Sequence, residues 1–285
     1  MIPPTSIDGT DITGATIDGT DVTEITVDGD VVFSPSLVED GDFLYVHGEG
    51  GNFRYDAITP FDFSNNSTTQ YDNNASPGIA TVSPNGDTFI LAGFNDLQEF
   101  SVSIPFDFST KNLENTFPHN FGTDQLAVTI YGPNLDNMVV IDRGGTVEQF
   151  SLGSSFSLSN VSSVSTGTIN ASYGAFDSHF NDDGTKLYGS DLNVDVIQYN
   201  LSTPFDPTTV TSTNTFNTNV DDVGTVMVGD AGEKMYVQHH SPNDLEQYDL
   251  STPFEVTSAV NKTTIDSDPA AKQGNHLYIH PAPHY

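Results

Sequence analysis

The chain has 285 residues, with 39 acidic against 7 basic side chains and a formal net charge of −32. A surface this negative repels phosphate backbones and anionic lipids, so we expect no nucleic acid and no membrane insertion. No apolar run is long enough to cross a bilayer, and the absence of cysteine excludes disulfides, thiolate metal sites and cysteine nucleophiles.

The acid excess is mostly aspartate, with 30 Asp against 9 Glu. Hydrophobic residues still make up 35% of the chain, which is enough to build a core. Repulsion among the carboxylates is strong in dilute salt, but at about 1 M salt the screening length falls to roughly 3 Å. The composition therefore favours a halophilic source; an acidic protein from an ordinary cell is the alternative.

Residues 1–33 contain a ten-residue repeat in which an aliphatic residue precedes Asp-Gly, beginning at Ile7, Ile17 and Val27. Short β-prone runs between these pairs predict strands joined by Asp-Gly turns. Three such turns cannot bury a core alone, so the segment is either a frayed arm or an assembly arm that gains strand partners from another chain. The apolar positions that would carry assembly are Ile7, Ile17, Val22, Ile25 and Val27.

The rest of the chain repeats every 45 to 50 residues around an aromatic anchor. The anchors are Tyr55, Phe100, Phe150, Tyr199 and Tyr248. Two positions after each anchor lies an apolar residue, and six positions after it lies a Phe. In four repeats Pro precedes that Phe, which predicts that a strand ends there. The third repeat departs from this pattern, with Ser155 and Ser157 around its Phe.

A four-residue turn recurs at the same period, beginning at Ser83, Gly132, Asn181 and Gly229. Three of these turns end in Gly, which suits a positive φ, whereas the turn at 132–135 ends in Leu135 and is expected to differ. Short strands flank every turn, so each repeat holds about four strands. Units of this length and strand number are typical of propeller blades.

The two ends of this region complement each other. Residues 38–46 supply a second strand without a first, and residues 276–281 supply a first strand without followers. The predicted fold is all-β: a five-bladed β-propeller over 37–285 with Velcro closure by the C-terminal strand, preceded by the N-terminal β-rich arm of 1–33. Closure would remove exposed sheet edges. A sixth, incomplete blade is the alternative.

Motifs for nucleophilic, zinc-dependent or phosphate-binding chemistry are absent from the sequence. We therefore predict no catalytic residue, no metal site and no cofactor beyond weakly held hydrated cations at Asp-rich turns. His239 and His240 are neighbours on a strand and face opposite ways, which makes them a poor chelate. His276 and His280 share a face and could bind a metal, although a structural or exposed role is favoured.

The loops on one face of the predicted propeller are nearly uniform, and those on the other face vary. Varied loops on a rigid scaffold usually carry recognition. The candidate recognition residues in them are Arg143, His239, His240 and His119. Arg143 is one of only two arginines, and a local salt bridge explains it equally well.

The blade unit, with Ser-Pro-Asn-Gly at 83–86 and Tyr-Asn-Leu-Ser-Thr-Pro-Phe-Asp at 199–206, resembles propeller repeats of phage and haloarchaeal-virus proteins. The arm at 17–30 looks like the N-terminal segments of tailed-virus structural proteins. The resemblance implies a non-enzymatic virion surface protein, a spike, turret or tail receptor-binding module. Its implied partners are other virion proteins through 1–33, further copies in a homo-oligomer, and a host receptor or glycan.

The implied location is the virion. The start, Met-Ile-Pro-Pro, has neither the basic region nor the apolar core of a signal peptide, which fits synthesis in the host cytoplasm. Two other functions are compatible with the same residues. One is a carbohydrate-binding or glycoside-hydrolysing propeller, and the other is a cellular scaffold that binds a protein partner.

Overall fold

The computed structural model describes the chain in segments. Residues not described are 1–15, 18–19, 22–24, 28–29, 34–42, 49–50, 57–60, 62–66, 73–78, 93–95, 104–109, 120, 122–125, 133, 143, 170–177, 191–194, 220–222, 240–243, 267–273 and 281–285. In the strands of residues 16–80, apart from Leu44, and in residues 274–280, the backbone alone is described. No helix within these described segments is long and apolar enough to cross a membrane.

The backbone separates into two compact units, Met1–Glu39 and Asp40–Tyr285. In the first unit, β1 (Thr16–Ile17) pairs with β2 (Thr20–Asp21), and β3 (Ile25–Val27) pairs with β4 (Asp30–Phe33). Both pairs are antiparallel. Ile17, Ile25 and Val27 of the predicted assembly positions lie on these strands, whereas Ile7 and Val22 lie outside the described residues.

The second unit is built from short strands joined by turns and single 3₁₀ turns. Its strands are β5 (Phe43–Gly48), β6 (Gly51–Asp56), β7 (Ser67–Asp72), β8 (Ile79–Val82), β9 (Thr88–Ala92), β10 (Asp96–Val102), β11 (Lys111–Pro118), β12 (Leu126–Tyr131), β13 (Asn137–Asp142), β14 (Thr146–Ser151), β15 (Ser162–Thr168), β16 (His179–Phe180), β17 (Lys186–Ser190), β18 (Asp195–Leu201), β19 (Val210–Asn217), β20 (Val223–Gly229), β21 (Lys234–His239), β22 (Leu245–Leu250), β23 (Ala259–Asp266) and β24 (Gly274–His280).

Four antiparallel sheets of this unit are each formed by four consecutive strands: sheet I (β8–β11), sheet II (β12–β15), sheet III (β16–β19) and sheet IV (β20–β23). A further four-stranded sheet, the composite sheet, has the order β24-β5-β6-β7. Repeated four-stranded meanders of this kind are the units of a propeller. The prediction of an all-β, propeller-like fold is confirmed.

The hydrophobic core lies between neighbouring sheets. Ile90 and Leu97 of sheet I pack in one buried cluster with Met138 and Phe150 of sheet II. The next residue along the chain, Val139, faces the other way and belongs to a cluster shared with sheet III. A third cluster joins sheets III and IV. Because the inner strands are buried on both faces, their apolar runs are continuous rather than alternating.

In the three repeats in which both the turn and the following Phe are described, the Phe packs on the last residue of the recurrent turn. Phe205 N donates to the Gly184 carbonyl at 2.8 Å, and Phe254 N donates to the Gly232 carbonyl at 2.9 Å. Both Phe residues have a left-handed backbone, with φ of 60° and 62°. This conformation is rare for a bulky residue, so the contact with the turn must hold it in place. The two sequence motifs thus meet in one packing unit.

The turn at 132–135 differs from the others at its first residue, Gly132, which has a φ of 91°, but not at its last residue. Leu135 has a φ of 51°, and its amide donates to the Gly132 carbonyl at 3.0 Å, as Gly184 N does to Asn181 at 2.9 Å. A left-handed backbone costs a non-glycine residue about 1–2 kcal/mol. The Leu135 side chain packs against the buried cluster that contains Phe156, and this burial offsets the cost.

In three repeats, the residue before the anchor binds the next sheet. Glu99 Oε2 accepts from Leu158 N of sheet II at 2.6 Å. Gln149 Nε2 donates to the Phe205 carbonyl of sheet III at 3.3 Å, and Gln198 Oε1 accepts from Val256 N of sheet IV at 3.1 Å. A single repeat position therefore links three pairs of neighbouring sheets.

Replacing Gly184 by Ala should destabilise the protein more than replacing Gly144 by Ala. Gly184 has a φ of 69°, and an added Cβ would lie 2.4 Å from the Phe205 ring, whereas at Gly144 the Cβ would meet only the Asp142 carboxylate, at 3.2 Å. We expect Gly184→Ala to lower the free energy of unfolding by about 2–4 kcal/mol because strain and overpacking add. Denaturant unfolding measures the difference, and equal midpoints for the two variants would contradict the seating described above.

Candidate functional site

Sheet IV contains a buried group of ionisable side chains, the sheet IV cluster, made of His239, Glu246, Tyr248 and Lys262. His239 ends β21, and its amide donates to the Asp244 carbonyl at 2.9 Å. Glu246 and Tyr248 lie two positions apart on β22 and so share one face of the sheet. Lys262 reaches the same place from the outer strand β23. Three neighbouring strands therefore contribute to one cluster.

The Glu246 carboxylate is the centre of the cluster. One oxygen lies 3.3 Å from His239 Nε2 and accepts a 2.5 Å hydrogen bond from the Tyr248 hydroxyl. The other oxygen pairs with Lys262 Nζ. The side chains of His239 and Glu246 are 0% exposed, whereas that of Lys262 is 42% exposed. The lysine thus brings a positive charge from the surface to a carboxylate that has no contact with water.

The surroundings keep this carboxylate ionised. Burial alone would raise the pKa of Glu246, but hydrogen bonds from His239, Lys262 and Tyr248 outweigh it and bring the pKa to about 2. Burial and the adjacent carboxylate raise the pKa of Tyr248 far above its usual value, so the phenol stays neutral and donates. Glu246 also accepts from His239 Nε2, because an ionised carboxylate has no proton to donate.

A carboxylate-held imidazole can orient a general base or a metal ligand. Within the described part of the chain, His239 Nδ1 has no hydrogen-bond partner and no three metal-ligating side chains gather. Neither His239 nor Glu246 is exposed, so neither contacts solvent in this conformation. What the arrangement does in this structure is to hold the second, third and fourth strands of sheet IV together.

A second polar cluster joins sheets III and IV around Glu255. Its carboxylate pairs with Lys186 and accepts from Gln198 Nε2 at 3.0 Å and Asn214 Nδ2 at 3.3 Å. Partial burial raises the pKa of Glu255, but the contacts with Lys186 and Gln198 lower it further than burial raises it. This cluster lies beside the Gln198 link to Val256 and reinforces it.

The structure brings one of the candidate recognition residues, His239, into the sheet IV cluster. His119 is 7% exposed, and its Nδ1 accepts from Phe121 N at 3.4 Å. Arg143 and His240 lie outside the described residues. The recognition role of these four residues stays a prediction, as does the absence of a catalytic site and of a cofactor.

Sequence reasoning missed the partners of His239. Glu246 and Tyr248 were visible as part of an anchor motif, and their spacing already placed an acid on the same strand face as a core aromatic. The available signal was the position of an ionisable residue on the same strand face as a buried anchor. Lys262 gave none, because its approach to Glu246 depends on the pairing of β22 with β23 and not on local spacing.

Comparisons with known proteins give a likeness of fold. No family model and no curated protein matches the chain. Among solved structures, a Bacteroides fragilis protein provisionally assigned as a 6-phosphogluconolactonase is 14% identical, with a TM-score of 0.43, over 85% of this chain and 71% of that one. A Bacteroides uniformis protein with the same provisional assignment is 15% identical, with a TM-score of 0.41, over 85% and 72%.

Glu246 should make stability sensitive to acid. Its folded pKa of about 2 lies below the ordinary 4.5, so its contribution is fully present above pH 4.5 and is lost as the pH falls towards 2. Glu246→Gln should lower the free energy of unfolding near neutral pH by about 3–5 kcal/mol, because it leaves Lys262 and His239 without their carboxylate. The deficit should shrink as the pH falls through that window.

Denaturant unfolding across a pH series in constant salt measures this difference. Glu114→Gln is the matched control, since Glu114 is a fully exposed acid whose pKa is lowered by hydrogen bonds from Ser101 and Asn112. Its difference from the unmodified protein should be small at every pH. A deficit for Glu246→Gln that does not change with pH would contradict the ionised carboxylate.

Proposed function

We propose that the chain is a non-enzymatic surface protein of a halophilic tailed virus, attached to the particle through its N-terminal arm and presenting its propeller outwards. The observation that carries the proposal is the arm itself, in which β1–β2 and β3–β4 form separate two-stranded sheets among the described residues, with strands two to four residues long. Pairs this small are at best marginally stable in water.

Addition of strands from neighbouring chains is the direct way to stabilise such pairs. The repeat supplies hairpins at a fixed spacing, with acids in the turns and apolar Ile17, Ile25 and Val27 on the strands. An arm of this kind suits attachment to other virion proteins. The varied loops of the propeller would then meet a host receptor or glycan.

The distribution of charge supports the proposal that the protein functions in concentrated salt. Lys186, Lys234 and Lys262 each pair with a carboxylate inside the sheet unit, at Glu255, Asp249 and Glu246. Three of the 7 positive charges in the chain therefore lie in internal contacts, and a net charge of −32 remains to be screened. Cations at molar concentration supply that screening.

We further propose that the composite sheet is a fifth blade and that β24 closes the ring by pairing with β5. Register partners such as Tyr278 and Tyr45 support this arrangement. So does a repeated contact between sheets: Tyr188 OH donates to the Phe254 carbonyl at 3.0 Å, and Tyr236 OH donates to the Phe61 carbonyl at 2.8 Å. Sheet IV thus meets the composite sheet as sheet III meets sheet IV.

Deleting residues 267–285 should lower the melting temperature sharply, because it removes β24 and leaves the edge of β5 without a partner. Deleting residues 1–33 is the control, since it removes a longer stretch of chain from a separate unit and leaves β24 in place. We expect the control to melt close to the full chain in molar salt. If the two deletions melt alike, the C-terminal strand does not close the fold.

Deleting residues 1–33 should instead abolish incorporation into virus particles. The measurement is the amount of this chain in purified particles from cells that supply either the full chain or the deletion, at matched expression. A control with Val260→Thr, an exposed change in the sheet unit, should incorporate normally. Unchanged incorporation of the deletion would overturn the role of the arm, and hydrolysis of a glycan by the purified chain would overturn the non-enzymatic assignment.

A further inference from the structure

The outer strand of each sheet from I to IV has one strand partner within the described residues, and its other edge has none among them. Open edges invite pairing with another chain, and charged side chains are a common protection. β11 carries Lys111 and Glu114, and β23 carries Lys262 and Asp266. β15 and β19 carry no charged residue. In a chain with a net charge of −32, these are two neutral edges.

β15 is the less covered of the two neutral edges. Its residues from Ser162 to Thr166 are all exposed, so both faces of the strand are open to water. Val164 is 64% exposed, more than Leu113 at 51% or Val260 at 44%. On β19, by contrast, Asn214 is partly buried and bonds to Glu255 of sheet IV.

We propose that β15 is the contact between two copies of this chain, which pair antiparallel, edge to edge, about a two-fold axis at Ser165. This register places Ser162 opposite Thr168 and Val164 opposite Thr166, with Ser165 opposite its own copy. Hydroxyl residues facing each other stabilise an antiparallel pair, whereas like charges would destabilise it. A two-fold axis makes the contact self-complementary and closed, so the product is a dimer.

Charge selects a second copy of this chain at this edge. Two chains this acidic repel one another, so they can approach only where no carboxylates meet. The nearest acid in the sheet is Glu148 on β14, the register partner of Thr166. In the dimer the two Glu148 strands would be about three strand spacings apart, roughly 14 Å, well beyond the screening length of about 3 Å at 1 M salt.

The dimer should be weak and reversible. Ser163 pairs with Phe150 and Ser165 pairs with Gln149, so Val164 is the extra residue of a bulge. A bulge twists an edge and limits the length over which a new strand can pair. A single short strand pair also buries less area than stable interfaces do.

Sedimentation of the full chain over a range of protein concentrations, at about 1 M KCl where screening is strong, tests the inference. The unmodified chain should change from monomer to dimer as concentration rises. Val164→Glu should shift this change to at least about tenfold higher concentration, since it places like charges across the strand pair. Thr213→Glu, an exposed change on β19, should behave as the unmodified chain. The melting temperatures of both variants show that they are folded.

A cross-link test uses the absence of cysteine. Ser165→Cys introduces a single thiol at the two-fold axis, and mild oxidation should give a covalent dimer; Thr213→Cys should give far less. The inference is overturned if the unmodified chain stays monomeric, if Val164→Glu dimerises as well as the unmodified chain, or if both thiols cross-link equally. The dimer does not need the arm, so it should survive deletion of residues 1–33 whatever the outcome for particle incorporation.

Discussion

Seating of a left-handed Phe on a tight turn is the contact on which the rest of the sheet unit depends. Phe205 shows how it works: its amide binds the Gly184 carbonyl, its ring covers the place where a Cβ would stand, and Tyr131 of sheet II stacks on it at 4.8 Å. One side chain therefore closes the turn of its own sheet and packs against the sheet before it. Repetition of this contact sets the spacing between successive sheets.

Two kinds of bond between sheets follow from that spacing. In three repeats the residue before the anchor, such as Gln198, lies at hydrogen-bond distance from a backbone group of the next sheet. Polar groups at the boundary between two sheets thereby form the hydrogen bonds that buried polar groups require. An ion pair is the second kind of bond between sheets: Lys186 of sheet III pairs with Glu255 of sheet IV. In this chain positive charge is a packing element as much as a surface property.

Periodicity predicted the repeats, the anchors and the turns because each depends on local spacing. The anchor aromatics recur every 45 to 50 residues, and Phe150, Tyr199 and Tyr248 are all buried. The turn at 132–135 was expected to differ because it ends in Leu135, yet Leu135 adopts the positive φ of the glycines that end the other turns, since the packing of its side chain offsets the strain. The sheet IV cluster was not predicted, since Lys262, Glu246 and His239 meet only through strand pairing. Which loops recognise a partner depends on residues such as Arg143, whose surroundings no local pattern describes.

Composite-sheet pairing has a consequence for synthesis on the ribosome. Sheets I to IV are each made from one uninterrupted stretch, so each can form soon after its last strand emerges. β5 must wait for β24, the last strand described, before its inner edge is paired. Translation proceeds at about 5–20 residues per second, so that edge stays open for many seconds in every nascent chain. This sheet is therefore the last of the five described four-stranded sheets to be completed, and its open edge is the one a chaperone would have most time to guard.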